Sequence, residues 1–378
     1  MSEVVGSGFY LTSRQSTVPS ELGHHPVDFC DFLGASHLGL AGDMAVLCHR
    51  DLVGPLARDL LGTAGLHPAR TVLYRTVPEY RDLLAQLPPR RVIFQHVHSP
   101  DEVDADRYWI SRSLLAYLND KAAISHLVPP SHAPRRDILH GEAPLPPGWQ
   151  QAAVKASTWE SVAGGMGTRL CTTPIAIRQA LAEFRTAPAV VVEELLDSIG
   201  TWVLSYAARA DGGVDFLGAA QQLSNGPCHT GNLMCETIDP EPVHIGRHVV
   251  ANAAAQGFVG FAGIDFVHTR TGQWFAVDLN FRLNASTPMT LIGEEHRTPV
   301  MLFRRWHTDC PTSSAARAIT VEVTAGRLIP LAVQTDPTDD RLVQRVACIL
   351  RADSTAGLAA AVHRLTTAGL RQTDQPTW

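Results

Sequence analysis

The chain has 378 residues, more than a single hydrophobic core organises, so two or three domains are expected. Apolar residues make up 45 % and charged residues 18 %, the balance of a water-soluble globular protein, and a net charge of −6 without a Lys/Arg stripe argues against nucleic acid as a partner. The seven cysteines lack CxxC spacing, which argues against zinc and a disulfide framework. No apolar run approaches the roughly 18–20 residues of a membrane helix. The first residues carry no basic segment followed by an apolar stretch, so the expected location is the cytoplasm.

In chain order, apolar runs at 44–48, 71–74 and 91–94 read as buried strands, with helices over 52–62 and 77–87 between them. This is an α/β domain with a parallel sheet, and it contains no GxGxxG turn. A proline-rich stretch at 128–147 reads as a loop or boundary. A strand follows at 152–156, then a glycine-bearing loop to Gly167, and Thr173-Pro174 caps a helix to about Phe184. The β-branched run 189–196 reads as a strand, and 201–210 with 214–220 reads as a hairpin around Asp211-Gly212-Gly213. The spacing predicts a helix over 242–256, stopped by Gly257. The tail beyond 311 reads as α+β, with strands at 319–323 and 346–351 and a helix at 356–368. The domains expected are 1–115, 116–310 and 311–378.

Two features point to chemistry. Only two of the 31 Lys and Arg residues are lysine, Lys121 and Lys155. An ammonium is a compact charge suited to a phosphate met end-on, although two lysines can also survive on a surface by chance. The second feature is the segment 260–282. With Thr271-Gly272 as the central turn residues, Arg270 faces Gln273 and Asp265 lies opposite Asp278. Asn280 shares their face opposite Gly263, which leaves room above it. Opposed carboxylates repel and require a cation, and oxygen donors of this kind suit Mg2+ or Mn2+. A hairpin slipped by one residue, with one Asp in solvent, is the bland alternative.

The run Asp278-Leu279-Asn280-Phe281-Arg282 resembles the E-x-N-x-R signature of ATP-grasp ligases, with Asp in place of the commoner Glu, and Asp265 precedes it at the family's usual spacing. Asn119-Asp120-Lys121 is similar to the family's N-D-K helix start, and Ala153-Val154-Lys155-Ala156 to its V-K-P strand, with Ala156 for Pro. The glycine-bearing run with Gly164, Gly165 and Gly167 resembles the mobile lid, and 190–197 resembles the interdomain hinge. The resemblance spans about residues 115–290. It implies a pre-ATP-grasp α/β domain, a two-lobed ATP-grasp fold (lid lobe about 125–195, metal lobe about 196–310) and a small α+β tail. It implies ATP with two Mg2+ (or Mn2+) held by Asp265, Asp278 and Asn280. Arg282 and Lys155 would be catalytic, and Lys121, Lys155 and the lid glycines would hold phosphates. The backbone at Glu194 to Leu196 would read the adenine and Asp197 the ribose, with Glu193 in the same cofactor-binding set.

The activity implied is joining a carboxylate to an amine through an acyl phosphate, as in the peptide-forming ligases of natural-product pathways. Loading of an amino acid onto a carrier protein, and a catalytically lapsed nucleotide-binding protein, are the alternatives. Gln222, His229 and Asn232 lie in a small-polar segment that reads either as a substrate border or as a surface loop. Asn284 and Ser286 are similar candidates. The partners expected are small amino acids or other carboxylates and amines, with neither membrane nor nucleic acid, in a family whose members are often homodimers.

Overall fold

The computed structural model describes residues 1–6, 8–12, 14–16, 27–67, 70–141, 143–158, 167–226, 228–336 and 338–373. The first sheet is built from β1 (Tyr10–Thr12), β2 (Ala45–His49), β3 (Thr71–Tyr74) and β4 (Val92–Phe94), all parallel in the order β3-β2-β1-β4. Its middle strand β2 is buried at four of five positions, which is why it reads as an unbroken apolar run. The helix Val77–Gln86 starts where Thr76 accepts the Glu79 amide at 3.3 Å, a cap legible from the Thr-x-x-Glu spacing. β1, only three residues long, is too short to show a pattern of its own.

A second, antiparallel sheet takes the order β5-β8-β6-β7, from β5 (Arg136–His140), β6 (Ala152–Ser157), β7 (Thr168–Cys171) and β8 (Ala189–Glu193). The helix Pro174–Glu183, capped by Thr173, buries Ile177 and Ala180 against Val154, Ala156 and Val192. β5 corrects the reading of 128–147 as loop. Pro129 and Pro130 open a short 3-10 turn at Pro130–His132, β5 begins two residues past Pro134, and the remaining prolines, Pro144, Pro146 and Pro147, follow the strand.

The remaining strands form one nine-stranded sheet. Its order is β13-β12-β9-β10-β11-β14-β16-β15, from β9 (Ser198–Ala208), β10 (Val214–Asn225), β11 (Cys228–Cys235), β12 (Gly260–Thr269), β13 (Trp274–Asn280), β14 (Val300–His307), β15 (Leu328–Asp336) and β16 (Asp339–Ala352), with β17 (Arg371–Gln372) beside β14. On one face the helix Pro240–Ala255 covers Leu204, Tyr206, Ile264 and Phe281. On the other, Met301, Phe303, Ile329 and Phe261 pack against Leu11, Ala35, Leu38 and Val46 of the first domain.

Two expectations fail here. The polar segment 221–232 is no loop: it is the end of β10 and most of β11, whose register sets Gln222 against Asn232. The residues read as a strand at 319–323 are the last half of the helix Ser313–Thr324, which Thr312 caps. Ile319 and Val323, four apart, are both buried, so packing along one helical stripe outweighs their β-branched preference. No helix among the described residues is long and apolar enough to cross a membrane.

Candidate active site

β12 and β13 bring Asp265 opposite Asp278 and Gly263 opposite Asn280, the register expected. The route to it differs from the expected two-residue turn. The Thr269 amide donates to Gln273 O at 2.9 Å and the Gly272 amide to Thr269 O at 3.0 Å, closing a three-residue loop. Gly272, at φ 83°, supplies the left-handed position such a loop needs. This loop sets His268 against Trp274, one residue out of phase, and a bulge beyond Asp265 restores the phase. Val277 is the extra residue of that bulge, and its carbonyl accepts from Lys155 Nζ at 2.7 Å.

The two lysines converge on this hairpin from different elements. Lys121 Nζ meets Asp278 Oδ1 at 2.6 Å, while Lys155, in the middle of β6, also reaches Glu193 Oε1 on β8 at 2.6 Å. Arg136 of β5 holds the other oxygen of Glu193 at 2.7 Å. Asp120 fastens the two lysine-bearing elements together, its Oδ1 accepting the Ala122 amide at 3.0 Å and the hydroxyl of Ser157 at the end of β6. Arg282 completes the group. Its Nη1 donates to Asn119 Oδ1 at 2.6 Å, and the same oxygen accepts the Phe281 amide at 3.1 Å. Sequence reading placed Asn119 in a motif without giving it a role; its contact with Arg282 spans 163 positions and has no local signal.

Burial works against ionisation at both facing carboxylates, and the balance differs. Asp278 is nevertheless held below its ordinary range, because Lys121 and Lys155 favour its charge. Asp265 is pushed up, by burial first and then by Asp278. Four cations, Lys121, Lys155, Arg136 and Arg282, thus surround three carboxylates of which one resists ionising, an arrangement that favours an incoming anion.

Two family models match the chain in consecutive segments: the N-terminal domain of L-aspartate–L-methionine ligase over residues 1–116, and its ATP-grasp domain over 149–280. The chain is an ATP-grasp ligase. Solved structures share the fold along nearly the whole length. The ADP complex of an N5-carboxyaminoimidazole ribonucleotide synthetase superposes with a TM-score of 0.62 at 9 % identity, covering 97 % of this chain and 98 % of that one. The corresponding synthase of Aspergillus clavatus, complexed with ATP, gives 0.58 at 11 % identity over 96 % and 98 %. An L-amino acid ligase from Bacillus licheniformis gives 0.55 at 13 % identity over 98 % and 99 %.

The hairpin of this carboxylate–amine ligase fits the divalent metal that usually accompanies ATP. Asp265 Oδ1 is buried without a hydrogen-bond partner, and it faces a second carboxylate. No three His, Cys, Asp or Glu side chains gather among the described residues, so the protein offers two carboxylates and the Asn280 amide as donors.

At the hinge the Glu193 side chain is buried between Lys155 and Arg136. The Glu194 amide donates to Arg135 O at 2.8 Å, and Leu196 follows the end of β8 in irregular backbone. Asp197, the ribose candidate, pairs with Arg270 at the exposed hairpin tip, 3.2 Å away. Of the lid glycines, Gly167 is buried and its carbonyl accepts the Ala156 amide at 2.9 Å; Gly164 and Gly165 lie outside the described residues.

The substrate candidates gather on the sheet face of Asp265. Gln222 and Asn232 are opposed on β10 and β11, and Asn232 and His229 share β11. The room above Gly263 belongs to Asn284, since a Cβ at Gly263 would collide with the Asn284 amide. Asn284 Oδ1 in turn accepts the Ser286 and Thr287 amides at 3.0 Å each, so it and Ser286 brace the chain beyond Arg282.

Proposed function

We propose that this ligase joins two amino acids through an acyl phosphate, using Mg-ATP and releasing ADP and phosphate. The observation that carries the reading is the convergence of both lysines of the chain on one hairpin that also presents two opposed aspartates. A carboxylate is a poor acylating agent because oxide is its leaving group. Attack of a carboxylate oxygen on the γ-phosphorus of ATP, with departure of ADP, converts it into an acyl phosphate. Attack of a neutral amine on the acyl carbon then expels phosphate, and the amine proton passes to solvent or base.

The chain's residues have distinct parts in this scheme. Asp265, Asp278 and Asn280 hold the metal, which neutralises charge on the transferred phosphoryl group when bound. Lys121 and Lys155 lie on carboxylates that phosphates would replace as partners, so both ammonium groups are in position before the nucleotide arrives. Arg282, oriented by Asn119, meets the negative charge that develops at the transfer. L-Aspartate and L-methionine, the substrates in the name of the matching family, are the first pair to supply, and a place in natural-product biosynthesis accords with the resemblance to peptide-forming ligases.

ADP and AMP release from Mg-ATP, with amino acids supplied singly and in pairs, tests the reading. ADP and phosphate that depend on an amino-acid pair and vanish on chelating Mg2+ support it. AMP with pyrophosphate overturns it in favour of adenylation, and turnover that requires a carrier-protein thiol replaces the free amine by that acceptor.

A further inference from the structure

The face of the central sheet that carries the two aspartates continues, four strands away, to a cation that no acid among the described residues compensates. Asp265 lies opposite Val203, Val203 opposite Ala220, and Gln222 two residues on lies opposite Asn232. Asn232 in turn faces Phe303 of β14, so Arg305, two residues further, projects from the same face. Gln222, Asn232 and Arg305 therefore form a polar track leading from Asp265 across to the boundary with the first domain.

Arg305 is half-buried, and its Nε is enclosed without a hydrogen-bond partner. Its guanidinium lies 5.1 Å from the centre of the Phe303 ring. Burial alone displaces its pKa, down to about 10; no carboxylate pulls it back. The titratable neighbours are histidines: burial and then Arg305 push His229 down to about 4, and the same two causes act on His37 of the first domain. Beside them Asn232 is 1 % exposed; its amide lies against the His229 ring, whose charged form it favours, but neither Nδ2 nor Oδ1 makes a well-formed hydrogen bond. An enclosed cation without a counter-charge and a buried amide N–H without a well-formed bond are both costly, and a single anion would compensate the first and accept from the second. Arg304 is a different case, since it points to the opposite face and its Nη1 donates to Thr230 O at 2.9 Å.

We propose that Arg305 and the Asn232 amide bind the free carboxylate of an amino-acid substrate, the one not activated, with Arg305 as the cationic pole of the substrate pocket. This rests on the reading of the chain as an amino-acid ligase. A planar guanidinium takes a carboxylate by two parallel N–H bonds, and Asn232 adds a third donor. Two carboxylates qualify, the side-chain group of an acidic acyl donor and the α-carboxylate of the amine-bearing partner.

The test compares L-methionine with L-methioninamide, and L-aspartate with L-asparagine, in wild type and in Arg305→Gln, with Arg305→Lys as a variant that keeps the charge. In wild type, loss of the recognised carboxylate raises the KM of that substrate by about 10- to 100-fold. In Arg305→Gln the acid rises to the level of its amide and the amide does not move further; Arg305→Lys falls between. A split confined to the methionine arm assigns the amine-bearing substrate, and one confined to the aspartate arm assigns the acyl donor. Equal losses for acid and amide, or no loss, overturn the proposal. Thermal-shift titration of the nucleotide-free protein with the same four compounds reads the subsite without turnover. A rise in Tm with acid over amide that Arg305→Gln abolishes supports the subsite even if the ligase reading fails. A wild-type Tm that none of the four moves overturns the subsite even if ADP is released.

Discussion

Glu322 in the C-terminal part is buried and the aspartates of the β12–β13 hairpin are half-buried, all among cations, yet they are finished in opposite ways. Glu322 accepts from Arg327 at 2.7 and 3.0 Å and from Arg364 at 2.6 and 2.9 Å, so both oxygens are doubly satisfied by the chain itself. Burial alone would raise its pKa, but these bonds prevail and hold it at about 2. At Asp265 burial prevails, its nearest charged neighbour across the ladder is another carboxylate, and one oxygen has no partner. A closed ion cluster stabilises a fold, whereas one left with spare valences and excess positive charge is a place for a ligand.

The comparison is broken most severely by Lys155→Ala or Asp278→Ala. Each should reduce ADP release at least about a hundredfold, measured with a coupled assay at saturating amino acids. Asn119→Ala removes the group that orients Arg282, so kcat should fall about tenfold while the KM for ATP stays within about twofold. At the closed cluster the effect moves from activity to stability. Glu322→Gln should leave kcat unchanged and lower the unfolding free energy in urea by about 2 kcal/mol.

The pH dependence sharpens the same contrast. Because the folded-state pKa of Glu322 lies below the ordinary value of 4.5, its contribution is complete above that pH and is lost as the pH falls through about 2. The difference in Tm between wild type and Glu322→Gln should therefore shrink across that window and stay constant above it. Gly263→Ala is the smallest perturbation. Its Cβ must displace the Asn284 amide, so the loop at Ser286 and Thr287 loosens and activity drops less than in Asn119→Ala.

Much of the site was legible because its signals are local. Asp265 and Asp278 meet through a hairpin, and hairpin pairing follows from a turn and a period of two. Even so, the turn was read one residue short and a bulge at Val277 compensated, so the facing pair came out right with the phase of the distal half wrong. The interdomain strand was read three residues too long, and the ion pairs of Glu193 and Asp197 went unread: an acid gives no sign of whether an arginine from β5 or from a hairpin tip will claim it. β11 was missed because its glycine and small polar residues imitate a loop, while its stability comes from two neighbouring strands.

The sequence by itself determined the α/β first domain, the two lysines, the Asp265–Asp278 pairing and hence the kind of chemistry, since each depends on residues within one element or one hairpin. Only the tertiary structure decided which carboxylates the lysines rest on, that Asn119 orients Arg282, that 319–323 is helical, and that Arg305 stands without an acid on the face of the aspartates. Those outcomes depend on contacts between elements far apart in the chain, where burial and the supply of partners, rather than local preference, set the free energy.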